Sequence, residues 1–204
     1  MSGIEAFSPK GMLHEGWSAQ VDDYAIVCGW ALQGKTFLVG DVAGGLYAFE
    51  GKSGKLIWQS KDIHKGGLLA MSIHPDGNTF ATAGQDGHVC IWESKEGKST
   101  KNLELGKGWV EHIKWSPDGK FLAVVFTKYV YVFDENGQEH WRSEEHPSTV
   151  SAISWSNSNE LATACYGQVT FYDVVGDKIN QKLEWRGSLV SMVLSPDGDI
   201  VACG

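Results

Sequence analysis

Apolar and polar positions alternate along most of this chain with a period of two. The clearest case runs from His64 to Trp92, HKGGLLAMSIHPDGNTFATAGQDGHVCIW. It reads as an apolar run, a Pro-Asp-Gly turn, a second run, an Asp-Gly turn and a third run ending in Trp. Short runs rich in β-branched and aromatic residues, bounded by Gly, Asn and Asp, are strands. Pro presets φ at the first central turn position and Asp bonds its own backbone. Gly accepts the positive φ that tight hairpins need. No window of helical length carries an apolar stripe, so the pattern predicts an all-β chain.

The stretch is repeated. Pro75-Asp76-Gly77 returns 42 residues later as Pro117-Asp118-Gly119, and 79 residues after that as Pro196-Asp197-Gly198. The degenerate Ser156-Asn157-Ser158-Asn159 falls midway in the longer gap, and Leu32-Gln33-Gly34 stands 43 residues before Asp76-Gly77. First strands are predicted at 70–73, 110–115, 150–155 and 190–194, and second strands at 79–83, 121–126, 161–165 and 200–203. Third strands are predicted at 46–49, 89–92, 130–133 and 169–172. A weaker outer strand is best seen at Lys55 to Trp58, Glu139 to Trp141 and Lys182 to Trp185. Four antiparallel strands in about 40 residues is the signature of a β-propeller blade. The expected division is an N-terminal segment 1–23, able to serve as an outer strand of a closing blade, then blades at 24–63, 64–105, 106–145 and 146–184. An incomplete fifth blade occupies 185–204.

Composition narrows the function classes. The 25 Gly suit a chain of many turns, and a net charge of −8 with no run of basic residues argues against a nucleic-acid or anionic-membrane surface. Cys28, Cys90, Cys165 and Cys203 are far apart, with no CxxC pair, which argues against both zinc and a disulfide framework. Three of them lie in apolar strand patterns, where Cys behaves as a small hydrophobe. The N-terminal stretch has no apolar signal core, and no apolar run approaches the ~18 residues of a membrane span. A reducing, cytoplasmic setting is expected.

No catalytic constellation assembles. Gly51-Lys52-Ser53 resembles the end of a phosphate-binding loop, but Leu46 occupies the place of the required earlier Gly and a strand follows, so a hairpin turn is expected. His140 and His146, with Glu139, Glu144 and Glu145, match no metal-ligand spacing. No Ser/His/Asp or Cys/His set stands out. Neither a cofactor nor a metal is expected, and the chain reads as a non-enzyme.

On these residues the sequence resembles the WD-repeat β-propeller family over roughly residues 24–204. The resemblance implies a buried hydrogen-bonded tetrad in the second blade, His64, Thr82, Asp86 and Trp92. The fourth blade keeps His146 and Thr163 but ends in Tyr172 and lacks the turn Asp. The third, with Gly106, Val124, Lys128 and Phe133, has no tetrad. Seven blades are common in that family, so the four and a half here imply part of a larger propeller, completed by further blades or by a second chain. It also implies a non-enzymatic scaffold that binds protein or peptide at the channel entrance. The matching positions are Tyr24, Ile26, Leu69, Gln85, Trp109, Glu111 and Tyr166, with Ser188 and Val190 from the fifth repeat. Two alternatives stay open. One is a fragment of a quinoprotein-like or hydrolytic propeller enzyme, since Gly54 to Trp58, GKLIW, resembles a strand of quinoprotein-like repeats. The other is a structural subunit of a large complex.

Overall fold

The computed structural model describes residues 16–195 and 197–204; expectations that fall on residues 1–15 and on Pro196 lie outside the described residues. Apart from one 3-10 turn, every regular element of the described residues is a β-strand. Sheet 1 is β1 (Ala25–Ala31), β2 (Thr36–Asp41), β3 (Leu46–Glu50) and β4 (Leu56–Ser60). Sheet 2 is β5 (Leu68–Ile73), β6 (Thr79–Gly84), β7 (His88–Glu93) and β8 (Lys98–Glu104). Sheet 3 is β9 (His112–Trp115), β10 (Phe121–Phe126), β11 (Tyr129–Asp134) and β12 (Glu139–Arg142). Sheet 4 is β13 (Ala152–Trp155), β14 (Leu161–Cys165), β15 (Gln168–Asp173) and β16 (Lys178–Glu184). A fifth sheet holds β17 (Met192–Leu194) and β18 (Val201–Cys203). Each sheet is a sequential antiparallel meander. Leu32–Gly34 forms a single 3-10 turn, with Leu32 and Gln33 at positive φ.

The first strands of successive sheets are neighbours, β1 to β5, β5 to β9, β9 to β13 and β13 to β17. Together they line one concavity of about 450 Å³, with Val27, Met71, Ile113, Ile153 and Met192 each contributing a wall. Sheets radiating from a shared axis are the propeller arrangement.

The core lies in the seams between sheets, because each sheet is apolar on both faces. Leu38, Leu46 and Ala48 of sheet 1 meet Leu68, Phe80 and Trp92 of sheet 2. Ala81, Val89 and Ile91 meet Val110, Trp115 and Leu122 across the next seam. Val125, Val130 and Val132 then meet Ile153, Trp155 and Leu161. Phe80, Leu122 and Leu161 are fully buried, each side chain contributing about 1.5–3 kcal/mol.

Seams are also clamped at their outer ends. On the fourth strands of sheets 1, 2 and 3, the residue paired with the penultimate apolar position of the third strand reaches into the next sheet. Trp58 pairs with Ala48, and its Nε1–H donates to the Ser94 carbonyl at 3.0 Å while the ring stacks on Phe80. Lys101 pairs with Ile91, and its Nζ donates to the Glu135 carbonyl at 2.6 Å. Trp141 pairs with Val132, and its Nε1–H donates to Asp177 Oδ1 at 2.7 Å. The counterpart in β16 is Gln181, paired with Phe171. Trp185, which the sequence pattern puts at the end of that outer strand, therefore stands beyond it in an exposed loop. The expectation of small buried cysteines holds for Cys90 and Cys165. Cys28 and Cys203, in the first and fifth sheets, are exposed, so the expectation made for three of the four cysteines is met by two.

Two glycines separate backbone strain from close approach. Gly34, at φ +80°, has open space where a Cβ would project. Gly87, at φ +75°, would place that carbon 1.9 Å from the Gly106 carbonyl oxygen. Gly34→Ala is expected to cost about 1 kcal/mol, the penalty of positive φ. Gly87→Ala adds displacement of a backbone segment and should lower stability by more than twice as much in urea unfolding. Equal costs would contradict the packing at this seam.

Candidate functional site

Sheet 2 brings four polar side chains into one buried chain of hydrogen bonds. Asp86 sits in the β6–β7 turn, His64 in the loop before β5, Thr82 on β6 and Trp92 on β7. Asp86 Oδ1 lies 3.0 Å from His64 Nδ1, and a carboxylate only accepts, so Nδ1 carries the proton. His64 Nε2 then accepts from Thr82 Oγ1 at 3.0 Å, and Thr82 Oγ1 accepts the Trp92 Nε1–H at 2.9 Å. Asp86 also receives the Lys65 amide at 2.9 Å and the His88 amide at 3.2 Å. Burial raises the Asp86 pKa, but the hydrogen bonds from His64 and these amides outweigh it and leave it lowered. Burial lowers the His64 pKa, against an opposing pull from Asp86. Every donor in the chain has one acceptor, and Asp86 at its outer end lines an open cavity of about 360 Å³ with His88, Cys90 and Asn102. Nearby Cys90 is no nucleophile, since burial pushes its thiol up to about 11.

Sheet 4 solves the same problem without a carboxylate. His146 Nδ1 donates to the Lys128 carbonyl of the preceding sheet at 3.0 Å. Its Nε2 lies 3.0 Å from Thr163 Oγ1 and 3.3 Å from the Tyr172 hydroxyl. A backbone acceptor replaces the missing Asp, and leaves no side-chain trace in the sequence. His140 packs against Phe121 instead, with ring centroids 4.7 Å apart and the planes tilted by 31°. Gly51 to Ser53 form the turn between β3 and β4, as the hairpin reading expects.

The two buried rings give a pH dependence. Burial is the leading cause of a lowered pKa at His64, His146 and also His112. The unfolded chain therefore binds more protons than the folded one below the ordinary value of 6.5, so stability rises with pH there. The stabilisation is complete above that value and is lost as pH falls through it. The denaturation midpoint should drop on going from pH 7.5 to 5.5, and the drop should shrink in His146→Gln. Asp86, with its lowered pKa, adds a further loss only at still lower pH. A midpoint independent of pH across this window would contradict the neutral buried rings.

The remaining sequence-selected residues gather at one end of the channel. In every sheet the start of the first strand pairs with the end of the second: Ala25 with Asp41, Leu68 with Gly84, His112 with Val125 and Ala152 with Ala164. The loops entering the first strands and the turns leaving the second strands thus share one rim. Tyr24, Ile26, Trp109 and Tyr166 are exposed there, and so is Glu111. Leu69 and Gln85 are half-buried, Leu69 as a wall of the channel concavity. Trp185 joins the same rim: its amide donates to the Gly167 carbonyl at 2.8 Å, beside Tyr166. Trp109 is 55% and Tyr166 61% exposed, although both flank complete sheets. Tyr166 is fixed by its amide donating to Ser148 Oγ at 2.8 Å. The loop that lifts Trp109 is backed by the Phe126 ring, within 4 Å of where a Cβ on Gly106 or Gly108 would stand.

Among the described residues no group of three or more His, Cys, Asp or Glu is placed to hold a metal ion. No described helix is long and apolar enough to cross a membrane.

Comparison with known proteins agrees with this geometry. Residues 58–93, which hold Trp58 and most of sheet 2, match the family model described as WD domain, G-beta repeat. The p21-activated protein kinase-interacting protein 1-like of Gallus gallus is 38% identical over 118 residues, 53% of this chain and 31% of that protein. The U3 small nucleolar RNA-associated protein 15 homolog of Xenopus tropicalis is 26% identical over 129 residues, 61% of this chain and 25% of its own length. The intraflagellar transport protein 80 homolog of Mus musculus is 24% identical over 151 residues, 72% of this chain and 19% of its own. The matched stretches thus span less than a third of each of these relatives. In its repeat pattern, its radiating four-stranded sheets and these matches, this chain is similar to WD-repeat proteins.

Proposed function

We propose that this chain is a non-enzymatic scaffold that holds a protein or peptide partner on the rim at the channel entrance. The observation that carries the reading is the exposure of Trp109 and Tyr166 on braced loops beside complete sheets. Large aromatic side chains held rigidly at a surface lose little entropy on binding and are the usual anchors of interfaces. Tyr24, Ile26, Leu69, Gln85 and Glu111 belong to the same surface, and Trp185 and Val190 extend it. The His64–Thr82–Asp86–Trp92 chain is in this reading a lock that fixes the rim loops by tying the loop before β5 to the β6–β7 turn. With blade boundaries at 24–63, 64–105, 106–145, 146–184 and 185–204, each complete unit contributes to the rim the loop that enters its first strand and the turn that leaves its second. Two relatives are named for association, one with a protein kinase and one with a nucleolar RNA, which supports an adaptor role. A reducing, cytoplasmic setting is part of this reading, supported by four unpaired cysteines. The test is partner capture by Trp109→Ala and Tyr166→Ala, with folding measured beside it. Loss of capture with the fold intact supports the rim, and loss of fold in both variants overturns it.

A further inference from the structure

Glu111 puts a carboxylate at the apolar mouth of the channel concavity. In successive sheets the chain enters this wall through the residue after a buried apolar one: Leu69 after Leu68, Glu111 after Val110, Ser151 after Val150 and Val190 after Leu189. All four line one concavity of about 450 Å³, with Met71 and Ile113 behind them. Glu111 is thus flanked by Leu69 on one side and a hydroxyl on the other. The Ser151 hydroxyl donates to the Ala164 carbonyl at 3.2 Å and to the Leu189 carbonyl, so its proton is not free for Glu111.

Among the described residues the Glu111 carboxylate has no ion-pair or hydrogen-bond partner. The cations of the same concavity do not neutralise it. Burial holds the His112 pKa below its ordinary value against the pull of Glu111, so that ring is uncharged near pH 7. Lys114 stands three residues further along the first strand, ~10 Å towards the other end of the channel at ~3.3 Å per residue. What accompanies Glu111 at the mouth is an aromatic ring. Val110 is fully buried, whereas Trp109 and Glu111 on either side of it are both exposed, so the indole and the carboxylate leave the loop on its solvent side. A ring face and a carboxylate both attract a cation, and Leu69 and Met71 offer apolar surface to the methylenes of a long stem. An apolar or acidic group seated there would desolvate Glu111 without compensation.

We propose that the channel mouth takes a basic side chain, lysine or arginine, from the bound partner, and that Glu111 is the residue that selects its charge. This rests on the rim as the partner-binding surface and adds the chemistry the partner must present. The cationic head donates to the Glu111 carboxylate beside the Trp109 ring, and the stem lies along Leu69 and Val190.

Four capped residues test this by two-dimensional NMR: the N-acetyl N-methylamides of arginine, lysine, citrulline and norleucine. Citrulline keeps the shape of arginine without its charge, and norleucine keeps the stem of lysine. The arginine and lysine compounds should shift the Trp109 indole N–H and the Leu69 and Met71 methyls. They should also bind at least about 10-fold more tightly than their uncharged counterparts. Glu111→Gln should erase that preference, and Glu111→Asp should keep part of it. Equal affinities for the arginine and citrulline compounds would overturn the assignment. So would an undiminished preference in Glu111→Gln, or the absence of any shift at these resonances with all four compounds. Failure of the rim itself would show separately, as partner capture that survives Trp109→Ala and Tyr166→Ala.

Discussion

Trp92→Ala should lower the free energy of unfolding by about 3–5 kcal/mol, the range for truncating a buried large aromatic. Trp92 is buried in the first seam, packs among Leu46, Ala48 and Leu68, and stacks on Phe80 with centroids 6.2 Å apart. Its removal empties that space and also strips Thr82 of the donor it receives from Nε1. Trp92→Phe separates the two effects. It refills most of the volume but still leaves a buried hydroxyl short of one partner, a loss of about 1 kcal/mol. Denaturant unfolding followed by circular dichroism reads both variants. A cost below about 1 kcal/mol for Trp92→Ala would mean that the seam is not a packed core. Phe133 holds the same place in sheet 3 without any polar network, so packing alone sustains a sheet. The hydrogen-bonded chain in sheet 2 adds a fixed arrangement of loops to it.

The second large effect concerns the rim. Each of Trp109→Ala and Tyr166→Ala should weaken partner binding by at least about 30-fold, corresponding to about 2 kcal/mol for an interface anchor. Neither change should move unfolding by more than about 0.5 kcal/mol, because both side chains are exposed and outside every core cluster. Losing affinity without losing stability separates an anchor from a packing residue. The same logic sets Leu69 apart: it is half-buried in the channel wall, so Leu69→Ala should change stability and binding together.

The all-β fold was legible because its determinants are local. A period of two, Pro-Asp-Gly turns and third strands ending in aromatic residues each act within a few residues, and together they specify the meander. The tetrad was legible only through the resemblance to a known family, which assigns His64, Thr82, Asp86 and Trp92 their places in the repeat. The second histidine network was only half legible. His146, Thr163 and Tyr172 are visible as side chains, but the Lys128 carbonyl that completes the set has no signature in sequence. Trp185 was misplaced because an aromatic residue after an alternating run looks like the end of a strand. The pairing of Gln181 with Phe171 shows that the clamp position lies four residues earlier. The exposure of Cys28 and Cys203 depends on what packs against the first and fifth sheets, which alternation along one strand does not encode. Trp17 stands 41 residues before Trp58, and only the structure shows that the two indoles donate into equivalent turns, to the Gly51 and Ser94 carbonyls.

The central claim is that the rim at the channel entrance binds a protein partner. It is tested most directly by parallel affinity purification with quantitative mass spectrometry. Three forms are compared: the unmodified chain, a Trp109→Ala/Tyr166→Ala double variant, and Val175→Ala, which removes an exposed apolar side chain from the turn before β16. The account predicts a defined set of proteins retained by the unmodified chain and by Val175→Ala, and lost from the double variant at an unchanged melting temperature. An identical set on all three forms would contradict it.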